Sequence, residues 1–350
     1  MISFASGDLL KSDALAFINT VHCVGVMGKG IALQFKQAFP KNYDAYRRAC
    51  EAGEVRLGEM FVFDTGSMIN PRWIINFPTK GHWKAKSRLE DIVVGLEDLK
   101  RVIQELGIRS IAVPPLGCGN GGLDWRDVEP VIRGALSDLP DVDVRLFAPG
   151  AAPKVDEMRV GTERPNMSRG RALVLRLLGL YGAAGYRHSL LEVQKLTYFL
   201  QEAGEDLKLG FQKYHYGPYA ENLNHVLQRI EGHFIRGYGD RSQAAEIYVL
   251  DEGRKEAEAL LSGDEAAHER LNRVAELIEG FETPYGLELL STVHWIVTQD
   301  RQAADQPERL IEAVRSWNTR KAAVMREPHV HTALDQLRRH GWIGQDAHAA

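Results

Sequence analysis

The first part of the chain alternates short apolar runs with amphipathic stretches. Ile2–Ala5 and Ala14–Val21 (ALAFINTV, ending in Asn-Thr) come first, then Met60–Thr65, Trp73–Phe77, Ser110–Pro114 and Asp143–Phe147. Each has the length and composition of a strand. Between them lie helical patterns. Ile31–Phe39 carries Ile31, Leu33, Phe35 and Phe39. In Arg88–Leu106 the residues Leu89, Ile92, Val93, Leu96, Leu99, Val102, Ile103 and Leu106 recur at helical spacing. Trp125–Leu136 is a third helix. Strands alternating with helices predict an α/β sandwich with a largely parallel sheet.

The pattern changes after Phe147. Ala148 to Gly170 is rich in Pro, Gly and Ala and has no sustained apolar period, which predicts a linker over 151–170. Helical patterns follow at Ala172–Tyr181, Leu190–Ala203, Tyr219–Ile230, Glu252–Leu261, Glu265–Glu282, Tyr285–Gln299, Pro307–Ser316 and His331–Trp342. The expected organisation is an α/β domain over 1–150 and a mainly α-helical second domain over 171–350.

Length and charge narrow the function. The chain has 350 residues, 44% hydrophobic and 26% charged, enough for two domains with real cores. Net charge is −4. Residues 1–165 are neutral, and Glu246 to Glu288 holds 12 acids against four bases. Neither half binds polyanions through bulk positive charge, so any nucleic-acid contact is local. Cys23, Cys50 and Cys118 are odd in number and widely spaced, which offers neither a disulfide framework nor a zinc pair. The start, MISFASGDLLKSDA, lacks the basic and apolar regions of a signal peptide. The expectation is a cytoplasmic protein with no membrane partner. His329, His331 and His340 fit no zinc spacing and read as surface or packing residues.

Two glycine-rich segments stand at strand ends. Gly25-Val-Met-Gly28-Lys29-Gly30 opens the helix at Ile31, and Gly117-Cys118-Gly119-Asn120-Gly121-Gly122 follows the strand IAVPPL. Glycine lets backbone amides turn toward a ligand, and amides at a helix N-terminus attract phosphate. The first loop is not a Walker A loop. The second matches GxGxxG but comes too late in the domain for a dinucleotide fingerprint. Either loop alone reads equally well as a tight turn. Together, with Asp8 directly after the first strand, they predict a site that clasps a diphosphate.

GDLL at 7–10, NTVHCVGVMGKGIALQFK at 19–36, FPTKGHW at 77–83 and PPLGCGNGGLDW at 114–125 resemble macrodomains of the DarG antitoxin type. The resemblance implies a three-layer α/β/α macrodomain with a mixed, mostly parallel sheet. Its implied ligand is ADP-ribose, with no cofactor and no metal. Its implied activity is cleavage of the glycosidic link between ADP-ribose and thymidine in single-stranded DNA. Asp8 and the backbone of Leu9 fall where the family holds adenine. Gly28, Lys29, Gly30, Ile31, Ala32 and Leu33, with Leu116, Gly117, Cys118, Gly119, Asn120 and Gly121, fall on the loops around the diphosphate and distal ribose. Asn19, Thr20, Val21, His22 and Thr79 belong to the same ligand set, and the family commonly has Asn at the His22 position.

Lys80, in FPTKGHWK, falls where related enzymes place an essential lysine. Such an amine can attack the anomeric carbon or protonate the leaving thymine. Carboxylate-specific relatives pair this lysine with an Asp at the position of Gly121, and the nearest carboxylate here is Asp124. His82, Trp83 and Lys84 suit stacking of a base and contact with a phosphate, although Trp83 packed on a sheet edge is equally compatible. Trp125 reads as core. VQKL at 193–196 and YGPYAENLNHVL at 216–227 resemble the second domain of the same antitoxins and helical antitoxin domains with a QKL…YGP pattern. This implies binding and neutralisation of a DarT-type DNA ADP-ribosyltransferase toxin. The acidic 246–288 stretch suits a surface that competes with DNA, or a plain solvated face. The alternatives are a non-catalytic ADP-ribose reader, a hydrolase of protein carboxylate–ADP-ribose, and a nicotinamide-dependent oxidoreductase resting on the GCGNGG loop.

Overall fold

A computed structural model describes residues 1–150, 153–154, 157–182, 185–239 and 244–343. The chain divides into two compact units, the first built on Met1–Glu163 and the second beginning at Arg164. That division falls within the 151–170 segment read as a linker. Residues 151–152 and 155–156 of that segment, and 344–350 of the second domain, lie outside the described residues.

In the first unit the elements are β1 (Ile2–Ala5), β2 (Ala16–His22), α1 (Gly30–Ala38), α2 (Pro40–Glu51), β3 (Phe61–Asp64), β4 (Trp73–Lys80), α3 (Leu89–Glu105), β5 (Ser110–Val113), α4 (Trp125–Leu136) and β6 (Asp143–Phe147). They build one six-stranded sheet in the order β1–β6–β5–β2–β4–β3. Neighbours pair in parallel except β3, which runs antiparallel to β4.

Successive side chains of a strand point to opposite faces, so a strand buried on both sides reads as a continuous apolar run. In β2, Ala16 and Ile18 pack with Ile92 and Leu96 of α3 and Val128 and Ile132 of α4. Phe17, between them, packs with Phe35 and Ala38 of α1. Tyr46 and Ala49 of α2 join Val21 and Met27 in a further cluster. Helices therefore cover both faces of the sheet, and the unit is a three-layer α/β/α fold with a mixed, mostly parallel sheet, the architecture that the macrodomain resemblance implies. The periodicity did not reveal α2: PKNYDAYRRACE is polar, and only Asn42, Tyr46 and Ala49 are buried.

The second unit is mainly helical: α5 (Arg169–Tyr181), α6 (Leu190–Glu202), α7 (Glu221–Ile230), α8 (Asp251–Leu261), α9 (Glu265–Ile278), α10 (Pro284–Gln299), α11 (Gln302–Asp305), α12 (Pro307–Arg315), α13 (Thr319–Val324) and α14 (Glu327–Arg339). It also holds strands that the helical reading passed over: a hairpin of β7 (Phe211–Tyr214) and β8 (Gly217–Ala220), and a short pair, β9 (Ile235–Arg236) with β10 (Tyr248–Val249). Tyr219 lies in β8, and α7 starts after it. Gly217, at φ +100°, turns the chain between the hairpin strands. The last helix starts earlier than its apolar period, at Glu327, with Pro328 in its first turn.

Several carboxylates of the 246–288 stretch are engaged inside the unit. Glu256 meets Arg164 at 2.8 Å, Glu258 meets Arg176, and Asp264 meets Arg169. Glu288 is buried and meets Arg320 and Lys321. Part of that negative charge is thus neutralised locally. His329 Nδ1 lies 2.8 Å from the Tyr285 hydroxyl. Among the described residues no helix is long and apolar enough to cross a membrane.

Candidate functional site

The carboxyl ends of parallel strands leave backbone groups and loops free to bind ligands. In the first unit those ends open into two adjoining hollows of about 570 Å³ and about 600 Å³, which share Ile31, Pro114, Pro115 and Gly119 as walls. They form one cleft. Asp8, Leu9 and Cys118 stand at one end. Thr20, Val21, His22, Thr79 and Lys80 stand at the other. Gly28, Lys29, Gly30, Ala32, Gly117, Asn120 and Gly121 line the cleft on the Lys80 side.

Asp8 caps a single turn, Leu9–Lys11, by accepting a hydrogen bond from the Leu10 amide at 2.9 Å through Oδ1. Its Oδ2 is buried without a hydrogen-bond partner. A buried acceptor left open is costly unless a ligand donor completes it, and an exocyclic amine is such a donor.

The first glycine loop feeds directly into α1. Lys29 is the N-cap and provides no side-chain cap, so the first amides of the helix remain available to an anion. Gly30 adopts φ +58°, and a Cβ there would sit 3.4 Å from the Asn120 side-chain nitrogen, so the two loops approach each other at this point. The second loop is tightly folded. The Leu123 amide donates to Gly117 O at 3.0 Å, and the Ser87 amide to Gly121 O at 3.0 Å. A Cβ on Gly121 would lie 2.3 Å from Ser87 Oγ and 2.4 Å from Gly117 O. No side chain fits at position 121, so this site is built without a carboxylate there. Asp124 does not replace it. Asp124 caps α4 through the Arg126 amide and meets the Arg126 guanidinium at 2.6 Å, and that guanidinium holds its carboxyl down at about 2.

Lys80 ends β4 and His22 ends β2, paired in register across an irregularity at Val21/His22. Both are 9% exposed, which makes Lys80 unlike a solvated surface lysine. Lys80 Nζ donates to Asn120 O at 3.0 Å and to Trp83 O at 3.2 Å. Burial lowers its pKa below the ordinary lysine value. Burial, then the Lys80 and His82 charges, lower the His22 pKa to about 4, so the imidazole is neutral. Its Nδ1 accepts from the Val24 amide at 3.3 Å, which places the ring proton on Nε2. Beyond Lys80, Trp83 is 54% exposed and stacks on His82 at 5.3 Å, with Lys84 Nζ 4.9 Å over its ring.

Comparison with known proteins identifies the family. The Macro domain family matches residues 18–132. A DNA ADP-ribosyl glycohydrolase of Thermus aquaticus is 49% identical over 343 residues, covering 97% of this chain and 94% of that relative. The chain belongs to the DarG family of DNA ADP-ribosyl glycohydrolases. The solved macrodomain of Mycobacterium tuberculosis DarG is 59% identical over 43% of this chain and 99% of its own, with a TM-score of 0.43. A DNA ADP-ribosyl transferase–DNA ADP-ribosyl glycohydrolase fusion protein of Thermosipho africanus is 33% identical over 163 residues, 42% of each chain.

Not every residue implied by the DarG resemblance reaches the cleft. Asn19, Leu33 and Leu116 are buried and line neither hollow. The Asn19 side chain donates to Asn76 Oδ1 at 2.9 Å, so it holds β2 and β4 together beneath the site. Conversely, Val26, Pro114 and Pro115 line the cleft without having been singled out. Their signal was an apolar residue inside the first glycine loop and a proline pair leading into the second, where segments facing only water have no need of them.

Proposed function

We propose that the first unit hydrolyses the glycosidic bond of ADP-ribosyl-thymidine in single-stranded DNA, and that the second unit binds and neutralises the DNA ADP-ribosyltransferase that makes this modification. The observation that carries the first half is the convergence of three features on one cleft: the open Asp8 carboxylate oxygen, the uncapped amides of α1 and the buried Lys80 amine. Adenine at Asp8 and diphosphate between the glycine loops would leave the distal ribose beside Lys80 and His22. Membership of the DarG family supports the DNA substrate.

Two carbonyl oxygens hold Lys80 Nζ, and both favour its ammonium form. In this reading the ammonium gives a proton to the leaving thymine as its bond to C1 of the ribose breaks. Water adds hydroxide to C1, and its remaining proton restores the ammonium. The products are ADP-ribose and unmodified thymidine. The exposed Trp83, stacked on His82 with Lys84 above, supplies a platform for a neighbouring base and a cation for phosphate.

The toxin partner is supported by the Thermosipho relative, whose name joins a transferase and a glycohydrolase in one chain. It is supported also by the resemblance of the QKL and YGPY segments to antitoxin domains.

The deciding experiment incubates ADP-ribosylated thymidine oligonucleotide with wild type and Lys80→Ala, beside a glutamate-linked ADP-ribosyl protein. Release of free ADP-ribose from the oligonucleotide by wild type alone is the expected result. Tight ADP-ribose binding without release makes the unit a reader. Preferential release from glutamate makes it a carboxylate hydrolase.

A further inference from the structure

The second unit contains a cavity of about 250 Å³ at the hairpin, walled by Leu190, Leu191, Tyr214, Tyr216 and Tyr219, with Gln194, Lys195 and Gly217 behind. The QKL and YGP segments meet here. Gln194 brackets Ala220, accepting from its amide at 2.9 Å and donating to its carbonyl at 3.0 Å. Lys195 Nζ donates to Pro218 O at 2.6 Å. Gly217 lies against that amine: a Cβ there would be 3.3 Å from Lys195 Nζ and 3.0 Å from Thr292 Oγ1.

Charge beneath the hairpin is unbalanced. Lys195 and Lys321 are 1% and 0% exposed, Arg320 stands beside them, and among the described residues the carboxylate that meets this group is Glu288, taken by Lys321 at 2.6 Å and Arg320 at 2.7 Å. Burial and the Lys321 charge lower the Lys195 pKa to about 7, despite the attraction of Glu288. A buried cation with a single carbonyl acceptor is stabilised by an incoming carboxylate. The volume is below that of ordinary small-molecule pockets, about 300–1,000 Å³, and suits one amino-acid side chain. The rim is aromatic and exposed, Tyr214 at 62% and Tyr216 at 45%, which is the composition of interface anchors. Trp317 Nε1 donates to Tyr214 O at 2.8 Å and Asn318 Nδ2 to His215 O at 2.9 Å, so the hairpin is pinned before any partner arrives.

We infer that this cavity is the anchor pocket for the protein partner of the second unit, and that it takes an aspartate or glutamate side chain of that partner, whose carboxylate completes Lys195. This rests on the proposed binding of the DNA ADP-ribosyltransferase. The amine gains its missing acceptor, and the tyrosines exclude water around the new pair.

Leu191, half-buried in the cavity wall, gives a test specific for charge. Leu191→Glu puts a competing carboxylate into the pocket, and Leu191→Gln is its neutral counterpart. Binding of full-length protein to the purified transferase is measured by calorimetry, with cleavage of ADP-ribosylated oligonucleotide as control. Leu191→Glu is expected to weaken binding by about 30-fold or more, as for loss of a buried interface charge pair. Leu191→Gln is expected to change it by less than about 5-fold, and both variants keep wild-type cleavage. Equal binding by Leu191→Glu and wild type overturns the pocket alone. Equal weakening by both variants overturns the role of the carboxylate. Failure of wild type to bind the transferase overturns the neutralisation reading and this inference with it.

Discussion

Lys80 Nζ lies 3.0 Å from the carbonyl oxygen of Asn120, so the amine at the end of β4 is tied to the second glycine loop. The loop that would hold the diphosphate also aims the amine.

Lys80→Ala should abolish cleavage while leaving the cleft able to bind. We expect a loss of at least about 100-fold in single-turnover release of ADP-ribose, with ADP-ribose affinity by calorimetry changed by less than about 3-fold. With the ammonium as the acid, the wild-type rate falls as pH rises through the Lys80 pKa, which burial sets below the ordinary lysine value. A rate that climbs through that range, with an adduct trapped by borohydride, would assign nucleophilic attack instead.

Asp8→Asn keeps an oxygen for the Leu10 amide but offers an amide group where the buried Oδ2 stands. Two facing donors repel, so ADP-ribose affinity should fall by about 10-fold or more with little change in melting temperature.

Gly121→Asp would insert a Cβ into Ser87 Oγ and Gly117 O. Both neighbours are held by backbone hydrogen bonds, at Ser87 N and Gly117 O. Restoring the carboxylate of the related enzymes should therefore destabilise the first unit by about 1–3 kcal/mol rather than improve catalysis. Urea unfolding and turnover on the same preparation measure both.

His22 has a folded pKa of about 4 against an ordinary 6.5. Between these values the unfolded chain binds a proton that the folded chain does not, so stability is lost as pH falls through the window. From pH 7 to pH 5, wild type should lose about 1–2 kcal/mol more than His22→Asn. Identical slopes in the two proteins would contradict the neutral, buried imidazole.

Gly217→Ala tests the packing beneath the hairpin. A φ of +100° and a Cβ 3.0 Å from Thr292 Oγ1 both oppose a side chain there. Unfolding of the second unit should be eased by about 1–2 kcal/mol, visible as a lower urea midpoint.

Periodicity sufficed for elements whose burial is one-sided or complete. Leu89–Glu105 buries Ile92, Leu96, Leu99 and Ile103, and that spacing is readable directly. It did not suffice for α2, which buries one narrow stripe, nor for β7, which is short and largely exposed, nor for β8, which is buried but spans only Gly217–Ala220 and opens on a Gly-Pro pair that reads as a turn. The same division holds at the site. Glycine runs and a carboxylate after a strand mark where a ligand can be approached, because those residues have few other reasons to stand together.

By itself the sequence determined the α/β order of the first unit, the helical character of the second and the two glycine loops, because backbone propensity and local spacing are written along the chain; the lysine between those loops was marked only by the resemblance to DarG-type macrodomains. Only the tertiary structure decided which carbonyls hold Lys80, that Asn19 and Leu116 lie beneath the cleft rather than in it, that Gly121 has no room for a carboxylate, and that Lys195 meets Pro218. Each of these depends on contacts between residues distant in sequence, and no local pattern encodes such distances.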